Sequence, residues 1–235
     1  MDRDEYLAFY RELATFLASH NVASLRFDFR GHGKSDVSQR EFSPVGQVLD
    51  LVGAVNFLEG QPGVARLPRC SFATSFAAPP TIFMSKVLKG SLSKLYFLAP
   101  VLDYDLTFLN PKTEWASESF NQNTVSGAYK NGSLVLGEDF EVGMRALVEM
   151  SLLNPIDVAT SLSHLPMRIV HGAADTMVPI EQSKRLASLS KSVSFLTIEG
   201  MDHGYNALGD DEGVAPESQK NKEMIFADFL QFCSP

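Results

Sequence analysis

Residues 69–80 read RCSFATSFAAPP, and Ser75 lies near the middle of this stretch between Ala73 and Ala77. A strand that turns sharply into a helix needs small residues two positions before and after the turn, because the two backbones approach closely there. Glycine suits both positions best, and alanine is the smallest departure from it. The two prolines that follow fit the first turn of a helix, where amide hydrogens have no intrahelical partner. The stretch predicts a strand, a turn at Ser75 and a helix, with an ordinary serine at a helix N-terminus as the alternative.

Length, charge and cysteine content limit what kind of protein this is. A chain of 235 residues is long enough for one domain with a substantial core and an insertion. The formal net charge of −8 excludes a general affinity for nucleic acid, because no surplus of basic residues is present to displace counterions. Two cysteines, Cys70 and Cys233, are too few for a disulfide framework and favour a reducing compartment, so we expect a cytoplasmic protein.

The chain has no sign of membrane insertion. No apolar run reaches the roughly 18 residues that a membrane-spanning helix needs. The first ten residues, MDRDEYLAFY, are acidic and amphipathic, which is not typical of a secretory signal. We therefore expect no membrane partner, and the sequence gives no indication of the oligomeric state.

Helical and strand-like patterns alternate along the chain, which indicates an α/β protein with a mostly parallel sheet flanked by helices. The predicted helices cover residues 4–19, 45–60, 77–90, 138–153, 181–190 and 218–232. The predicted strands cover residues 22–29, 65–75, 94–100, 167–175 and 192–200. Residues 103–160 interrupt the alternation, and their first part, 110–133, is polar and rich in turn-forming residues. We therefore predict a core made of residues 1–102 and 161–235, with 103–160 inserted after the strand at 94–100.

Three polar residues, Ser75, Asp175 and His203, lie at or just past the ends of predicted strands. In an open parallel sheet, ligands bind beyond the carboxyl ends of the strands. A serine hydroxyl is a weak nucleophile until an adjacent imidazole takes its proton, and a carboxylate then fixes the imidazole tautomer. The three residues therefore predict a nucleophile, an acid and a base. Metal chemistry is not indicated, because His32, His164 and His171 lack the spacing of a metal site.

Four segments carry a resemblance to a known family: LRFDFRGHGKSD (25–36), the turn at Ser75, HGAADTMVP (171–179) and EGMDHG (199–204). Together, in this order, they resemble the α/β-hydrolase superfamily, and within it the feruloyl and cinnamoyl esterase-like serine hydrolases. The resemblance implies cleavage of a small-molecule carboxylic ester or thioester through an acyl-enzyme, without cofactor or metal. It implies that the amide of Phe76 is part of the oxyanion hole, and that residues 103–160 form a cap over the acyl site.

The sequence departs from this family at its N-terminus. The family places a strand and a loop with a second oxyanion donor before the first large helix, and this sequence begins at or inside that helix. We therefore expect the strand that belongs between residues 22–29 and the strand leading to Ser75 to be absent. An acyltransferase or thioesterase with the same three residues is one alternative function. A catalytically silent protein of the same fold that binds a ligand or partner is the other.

Each candidate site residue also has an alternative interpretation. Asp175 is also placed to cap a helix, and Asp103, one strand earlier, is the alternative acid. His203 is alternatively a surface-loop histidine. Trp115, in the predicted cap, either lines an acyl pocket or packs within the cap. We favour Asp175 over Asp103 because the segment around Asp175 matches the family motif more fully.

Overall fold

The computed structural model describes residues 3–136 and 140–234, and strands and helices alternate along most of them. The helices are α1 (Arg3–Ser19), α2 (Pro44–Glu59), α3 (Ala78–Val87), α4 (Glu114–Ser119), α5 (Gln122–Asn131), α6 (Met144–Leu152), α7 (Pro155–Ser161), α8 (Glu181–Leu189) and α9 (Pro216–Cys233). The strands are β1 (Cys70–Thr74), β2 (Lys94–Leu98), β3 (Ser133–Leu136), β4 (Phe140–Gly143), β5 (Met167–Gly172) and β6 (Val193–Ile198). This order confirms the predicted α/β class.

Four of the strands form one parallel sheet in the order β1-β2-β5-β6. Cys70 pairs with Lys94 at the start of the β1–β2 ladder, and Met167 pairs with Val193 at the start of the β5–β6 ladder. Because all four strands run in the same direction, their carboxyl ends meet at one edge of the sheet. The loops that carry Ser75, Asp175 and His203 all leave the sheet from that edge.

Helices cover both faces of this sheet, as the alternation of side chains along β2 requires. Leu95 and Phe97 point to one face and pack in a buried cluster with residues of α3, α7 and α8. Tyr96 and Leu98 point to the other face, where they pack in a cluster with residues of α1 and α9. All four side chains are at most 3% exposed, so β2 is a central strand of the core.

Residues 103–160 connect β2 to β5 with elements that do not join the sheet. They begin with a π-helical turn (Asp105–Leu109), and they contain α4, α5, the antiparallel hairpin β3–β4, α6 and α7. The helix predicted at 138–153 is therefore wrong in its first part. Residues 138 and 139 lie outside the described residues, Phe140–Gly143 form β4, and the helix begins at Met144. Pairing of β4 with β3 overrides the weak helical pattern, since strand formation depends on the partner.

The strand predicted at residues 22–29 is also wrong, because these residues form no strand in the structure. A strand exists only through its hydrogen-bonded neighbour. Within the described part of the chain, β1 pairs only with β2, and no strand occupies the position on its other side. The side chains of Leu25 and Phe27 consequently remain 36% and 40% exposed. This is the position that the family resemblance assigns to one further strand.

Hydrogen bonds hold both the start of α2 and the turn that precedes it. Ser43 caps α2, since its side chain accepts a hydrogen bond from Gly46 N, and Pro44 begins the helix. Arg30 donates hydrogen bonds to both carboxylate oxygens of Asp50 on α2. The turn after residues 22–29 is thereby connected to α2, although residues 22–29 themselves form no strand ladder.

None of the helices in residues 3–136 and 140–234 combines the length and apolar character needed to cross a bilayer.

We predict that Gly172→Ala destabilises the fold and that Gly53→Ala does not. A β-carbon at Gly172, the last residue of β5, would lie 2.1 Å from the backbone oxygen of Met201. We expect the free energy of unfolding to fall by about 2–3 kcal/mol. At Gly53, inside α2, nothing lies within 4 Å of the added carbon, and alanine should stabilise by about 0.5–1 kcal/mol. Urea denaturation of both variants measures this; equal stabilities would contradict the close approach at Gly172.

Candidate active site

Ser75 occupies a strained turn between β1 and α3. It is the first residue of a short 3₁₀ helix, Ser75–Ala77, and its φ is +48°. A positive φ is uncommon for residues other than glycine and persists only where the surroundings enforce it. The carbonyl of Ser75 accepts a hydrogen bond of 3.0 Å from Val101 N, and Ala73 before it is 4% exposed. The predicted sharp turn is therefore present, and alanine is small enough for it.

The structure brings the three predicted residues into hydrogen-bonding contact. His203 Nε2 lies 3.0 Å from Ser75 Oγ, and His203 Nδ1 lies 2.8 Å from Asp175 Oδ2. Each residue follows the carboxyl end of a different strand, β1, β5 or β6. Asp175 accepts from Nδ1, so the neutral ring presents its unprotonated Nε2 to the serine hydroxyl. This arrangement can take a proton from Ser75 Oγ.

The carboxylate of Asp175 is fully buried, and backbone amides and imidazole nitrogens lie around it. Oδ1 accepts from Met177 N at 2.8 Å and from Val178 N at 2.9 Å. Oδ2 accepts from His203 and also lies 3.0 Å from His171 Nε2. Burial raises the pKa of Asp175, but the hydrogen bonds from His171 and His203 outweigh burial and hold the pKa below its usual range. Asp175 is therefore a carboxylate at neutral pH.

His171 is a member of this group that the sequence reasoning missed. It is the fifth residue of β5 and is 0% exposed. Its Nε2 lies near two acceptors, Asp175 Oδ2 and Val178 O, while its Nδ1 lies 2.8 Å from Ser183 Oγ. We infer the tautomer protonated at Nε2, which donates to the carboxylate while Ser183 donates to Nδ1. His171 precedes Asp175 by four residues, but the sequence alone suggests for this histidine only the role of a metal ligand, which its spacing from the other histidines does not support.

Two other aspartates, the alternative acid Asp103 and Asp202 beside His203, have different hydrogen-bond partners. Asp103 Oδ2 lies 3.4 Å from Arg185 Nη1, and Asp103 Oδ1 accepts from Leu106 N at 3.1 Å. Asp202, next to His203 in the chain, accepts from the backbone amides of Gly204 and Asn206. Burial raises the pKa of Asp202 despite these hydrogen bonds. The structure therefore pairs His203 with Asp175, and not with either of these carboxylates.

Aromatic rings surround the residue after the serine. The ring of Phe76 lies 4.9 Å from that of Phe42 and 5.6 Å from those of Tyr104 and Phe108, measured between centroids. The Phe76 N–H belongs to the first turn of its 3₁₀ helix, where no intrahelical carbonyl is in position to accept it. The residue that directly follows Ser75 in the chain therefore packs against an apolar, aromatic cluster.

Trp115, on α4, connects the inserted residues to the loop that carries Asp175. Its Nε1 donates a hydrogen bond of 2.8 Å to the carbonyl of Met177. The same Met177 donates its own N–H to Asp175. The indole ring also packs edge-on against Phe108, with centroids 6.2 Å apart. Trp115 therefore connects residues 103–160 to the loop that carries Asp175.

Among the described residues, no group of three or more histidine, cysteine, aspartate or glutamate side chains could hold a metal ion.

We predict that Asp175→Asn changes the pH dependence of stability. A carboxylate whose pKa is lower in the folded than in the unfolded state stabilises the fold above its unfolded pKa of about 3.9, and this contribution disappears as the pH falls. The wild-type advantage over Asp175→Asn should therefore be full above about pH 5 and shrink between about pH 5 and pH 3. Urea midpoints measured across this range test it. A difference that stays constant with pH would contradict the depressed pKa.

Comparison with known proteins finds the same fold in solved structures. The Est1E protein from Butyrivibrio proteoclasticus, in a structure with ferulic acid bound, matches with a TM-score of 0.73 at 18% identity, over 95% of this chain and 82% of that chain. A putative hydrolase from Agrobacterium vitis matches with a TM-score of 0.73 at 14% identity, over 96% and 82%. A monoacylglycerol lipase from Paleococcus ferrophilus matches with a TM-score of 0.65 at 17% identity, over 93% and 88%.

Sequence comparison gives no such match. No protein-family model matches the chain, and no curated protein matches it. Identities below 20% explain why the likeness is visible in three dimensions and not in sequence searches. The parallel sheet, the turn at Ser75 and the structural neighbours agree: this chain has the α/β-hydrolase fold.

Proposed function

We propose that this protein is a serine hydrolase that cleaves carboxylic esters through an acyl-enzyme intermediate. The observation that carries the proposal is the hydrogen-bonded series from Ser75 Oγ to His203 and on to Asp175, with the serine on a turn of positive φ. The parallel sheet brings the three loops to one edge, but it does not require a serine, a histidine and an aspartate to form a hydrogen-bonded series there. The esterases and lipase among the structural neighbours support the same class of reaction.

The three residues and the Phe76 N–H have distinct roles in the proposed reaction. His203 Nε2 removes the proton of Ser75 Oγ as the oxygen attacks the acyl carbon, and Asp175 stabilises the imidazolium that forms. The N–H of Phe76 donates to the oxyanion. His203 then gives the proton to the leaving alcohol, and the acyl group remains on Ser75. Water, deprotonated by His203, releases the carboxylic acid and restores the serine.

The surroundings of Phe76 favour an apolar or aromatic acyl group. Phe42, Tyr104 and Phe108 contribute rings next to Phe76, and Tyr104 and Phe108 belong to residues 103–160. These rings belong to a buried apolar cluster, and an acyl group bound beside them would be held through buried carbon surface. We therefore propose that residues 103–160 act as a cap over the acyl site. Esters of aromatic acids are the first substrates to test, in keeping with the ferulic acid that binds one of the neighbours.

We predict that a fluorophosphonate probe labels the wild-type protein at Ser75. The probe reacts with a serine that an adjacent base activates, and no guess about substrate is needed. Intact-mass measurement should find one adduct per chain, and peptide mapping should place it on Ser75. Ser75→Ala should abolish the adduct. Absence of labelling in a folded wild-type protein would contradict the proposal and favour a ligand-binding protein of this fold.

A matched control for this experiment lies on the same strand. Ser71 is also in β1, and its buried hydroxyl has no hydrogen-bond partner among the residues that the structure describes. Ser71→Ala removes a hydroxyl from the strand without touching the proposed site, so labelling should persist at the wild-type rate. Loss of labelling in both variants would point to damage of β1 and not to the loss of a nucleophile.

We further predict that Asp175→Asn and Asp103→Asn differ in reactivity. Replacing the acid of a Ser-His-Asp triad by asparagine favours the wrong imidazole tautomer and lowers kcat about 10⁴-fold. The labelling rate and the hydrolysis of an aromatic p-nitrophenyl ester should fall by a similar factor in Asp175→Asn. Asp103→Asn should stay close to the wild-type rate, because Asp103 contacts Arg185. The reverse outcome would make Asp103 the acid.

Transfer of the acyl group to an acceptor other than water would use the same three residues. Mass analysis of products formed with an added alcohol or thiol separates the two reactions. Free acid as the main product supports the hydrolase, and a predominant new ester or thioester identifies an acyltransferase.

A further inference from the structure

The two cysteines of the chain, far apart in sequence, lie together in the fold. Cys70 is the first residue of β1, and Cys233 is the last residue of α9. Both have free thiols, and both side chains are partly buried against the apolar cluster formed by α1, α9 and one face of the sheet. Neither belongs to the group around Ser75. Their proximity therefore needs an explanation of its own.

Lys94 fixes the position of Cys233 relative to Cys70. In the β1–β2 ladder, Lys94 is the direct pairing partner of Cys70. Its Nζ donates hydrogen bonds of 2.8 Å to Phe232 O and 2.5 Å to Ser234 O. These two carbonyls flank Cys233 on either side. One side chain thus holds the C-terminal end of α9 against the first residue of β1.

The Cys70 thiol has the Cys233 thiol as a neighbour that affects its pKa. The hydrogen bond with the Cys233 thiol and burial raise the pKa of Cys70, and the nearby Lys94 ammonium only partly opposes them. Cys70 therefore stays a neutral thiol at pH 7 while the Cys233 thiol is free, and it is unsuited to start an exchange reaction. A metal role also lacks support, because the described residues contain no cluster of three or more suitable ligands. Pairing with the other sulfur is the chemistry that remains.

We propose that Cys70 and Cys233 form a reversible disulfide through exchange with a small-molecule disulfide such as oxidised glutathione. The Cys233 thiolate attacks one sulfur of oxidised glutathione, which forms a mixed disulfide and releases one glutathione thiolate. Cys70 then loses its proton and attacks the Cys233 sulfur, which closes the Cys70–Cys233 bond and releases the second glutathione. Two protein thiols are oxidised, and one glutathione disulfide is reduced to two thiols.

The bond would connect the end of the chain to the strand that leads to Ser75. In the described residues, β1 has a ladder only with β2, so its outer side depends on side-chain packing. Phe229 of α9 already packs against Phe72 of β1, with ring centroids 4.9 Å apart. A covalent bond between the same two elements would restrict the unfolded chain over a very long loop, which is where disulfides stabilise most. The pair would act as a redox-dependent stabiliser of the nucleophile strand.

The test uses the full chain, incubated with reduced glutathione alone or with an excess of oxidised glutathione. We expect the oxidised protein to lose two hydrogen atoms in intact mass, to resist maleimide labelling, and to yield a peptide that links Cys70 to Cys233. Its Tm should rise by about 5–10 °C, and the reduced form should return on addition of dithiothreitol. Glutathione adducts on both cysteines, an intermolecular dimer or an unchanged Tm would overturn the proposal.

Three variants distinguish the effect of the Cys70–Cys233 disulfide on Tm from an effect of the substitution on folding. Cys233→Ser, at the end of the last helix, should fold normally and lose the Tm shift, and Cys70→Ala should lose the same shift even if its reduced form is less stable. Lys94→Met keeps both cysteines but lacks the two hydrogen bonds that hold α9 in place. We expect its disulfide to form at least about tenfold less readily at a given glutathione ratio. Equal closure in Lys94→Met would contradict the positioning by Lys94.

Discussion

The buried carboxylate of Asp175 is the interaction on which the site depends. A buried charge is tolerated only where donors surround it, and here two backbone amides and two imidazoles do so. These donors connect β5, the loop after it and the loop after β6. Through Met177, whose carbonyl accepts from Trp115, they also connect the insertion. Through His171 and Ser183 they reach α8. One carboxylate thereby fixes the relative positions of most elements around the serine.

Sequence reasoning predicted the part of this site that follows from chain order and strand direction. Ser75, Asp175 and His203 each follow an apolar strand, and parallel strands bring such positions to one edge. It missed His171, because a histidine inside a strand resembles any other core residue until its neighbours are known. A hydrogen bond to a carboxylate on a different element is not encoded in the spacing of either residue.

Secondary structure was predictable from the sequence where a local pattern determines it. The prediction was wrong where the presence or absence of a hydrogen-bonded neighbouring strand determines it. Residues 22–29 have the composition of a strand, yet they form none, because the position between them and β1 contains no strand in the described residues. Residues 140–143 were assigned to a helix, yet they pair with β3. In both cases the hydrogen-bonding neighbour lies elsewhere, and β structure follows the neighbour more than the local propensity.

The alanines around Ser75 show how the turn tolerates a methyl group where glycine is expected. Backbone strain at a positive φ costs on the order of 1–3 kcal/mol and must be offset by the surroundings. Here Ser75 O accepts from Val101 N, and Ala73 is packed in the cluster beneath α3. The methyl group of Ala73 is therefore buried carbon that contributes to the core. The strain at Ser75 and the packing of its neighbours are linked. Small side chains on either side of Ser75 let the strand and the helix approach closely, and this close approach includes the contacts that hold Ser75 at a positive φ.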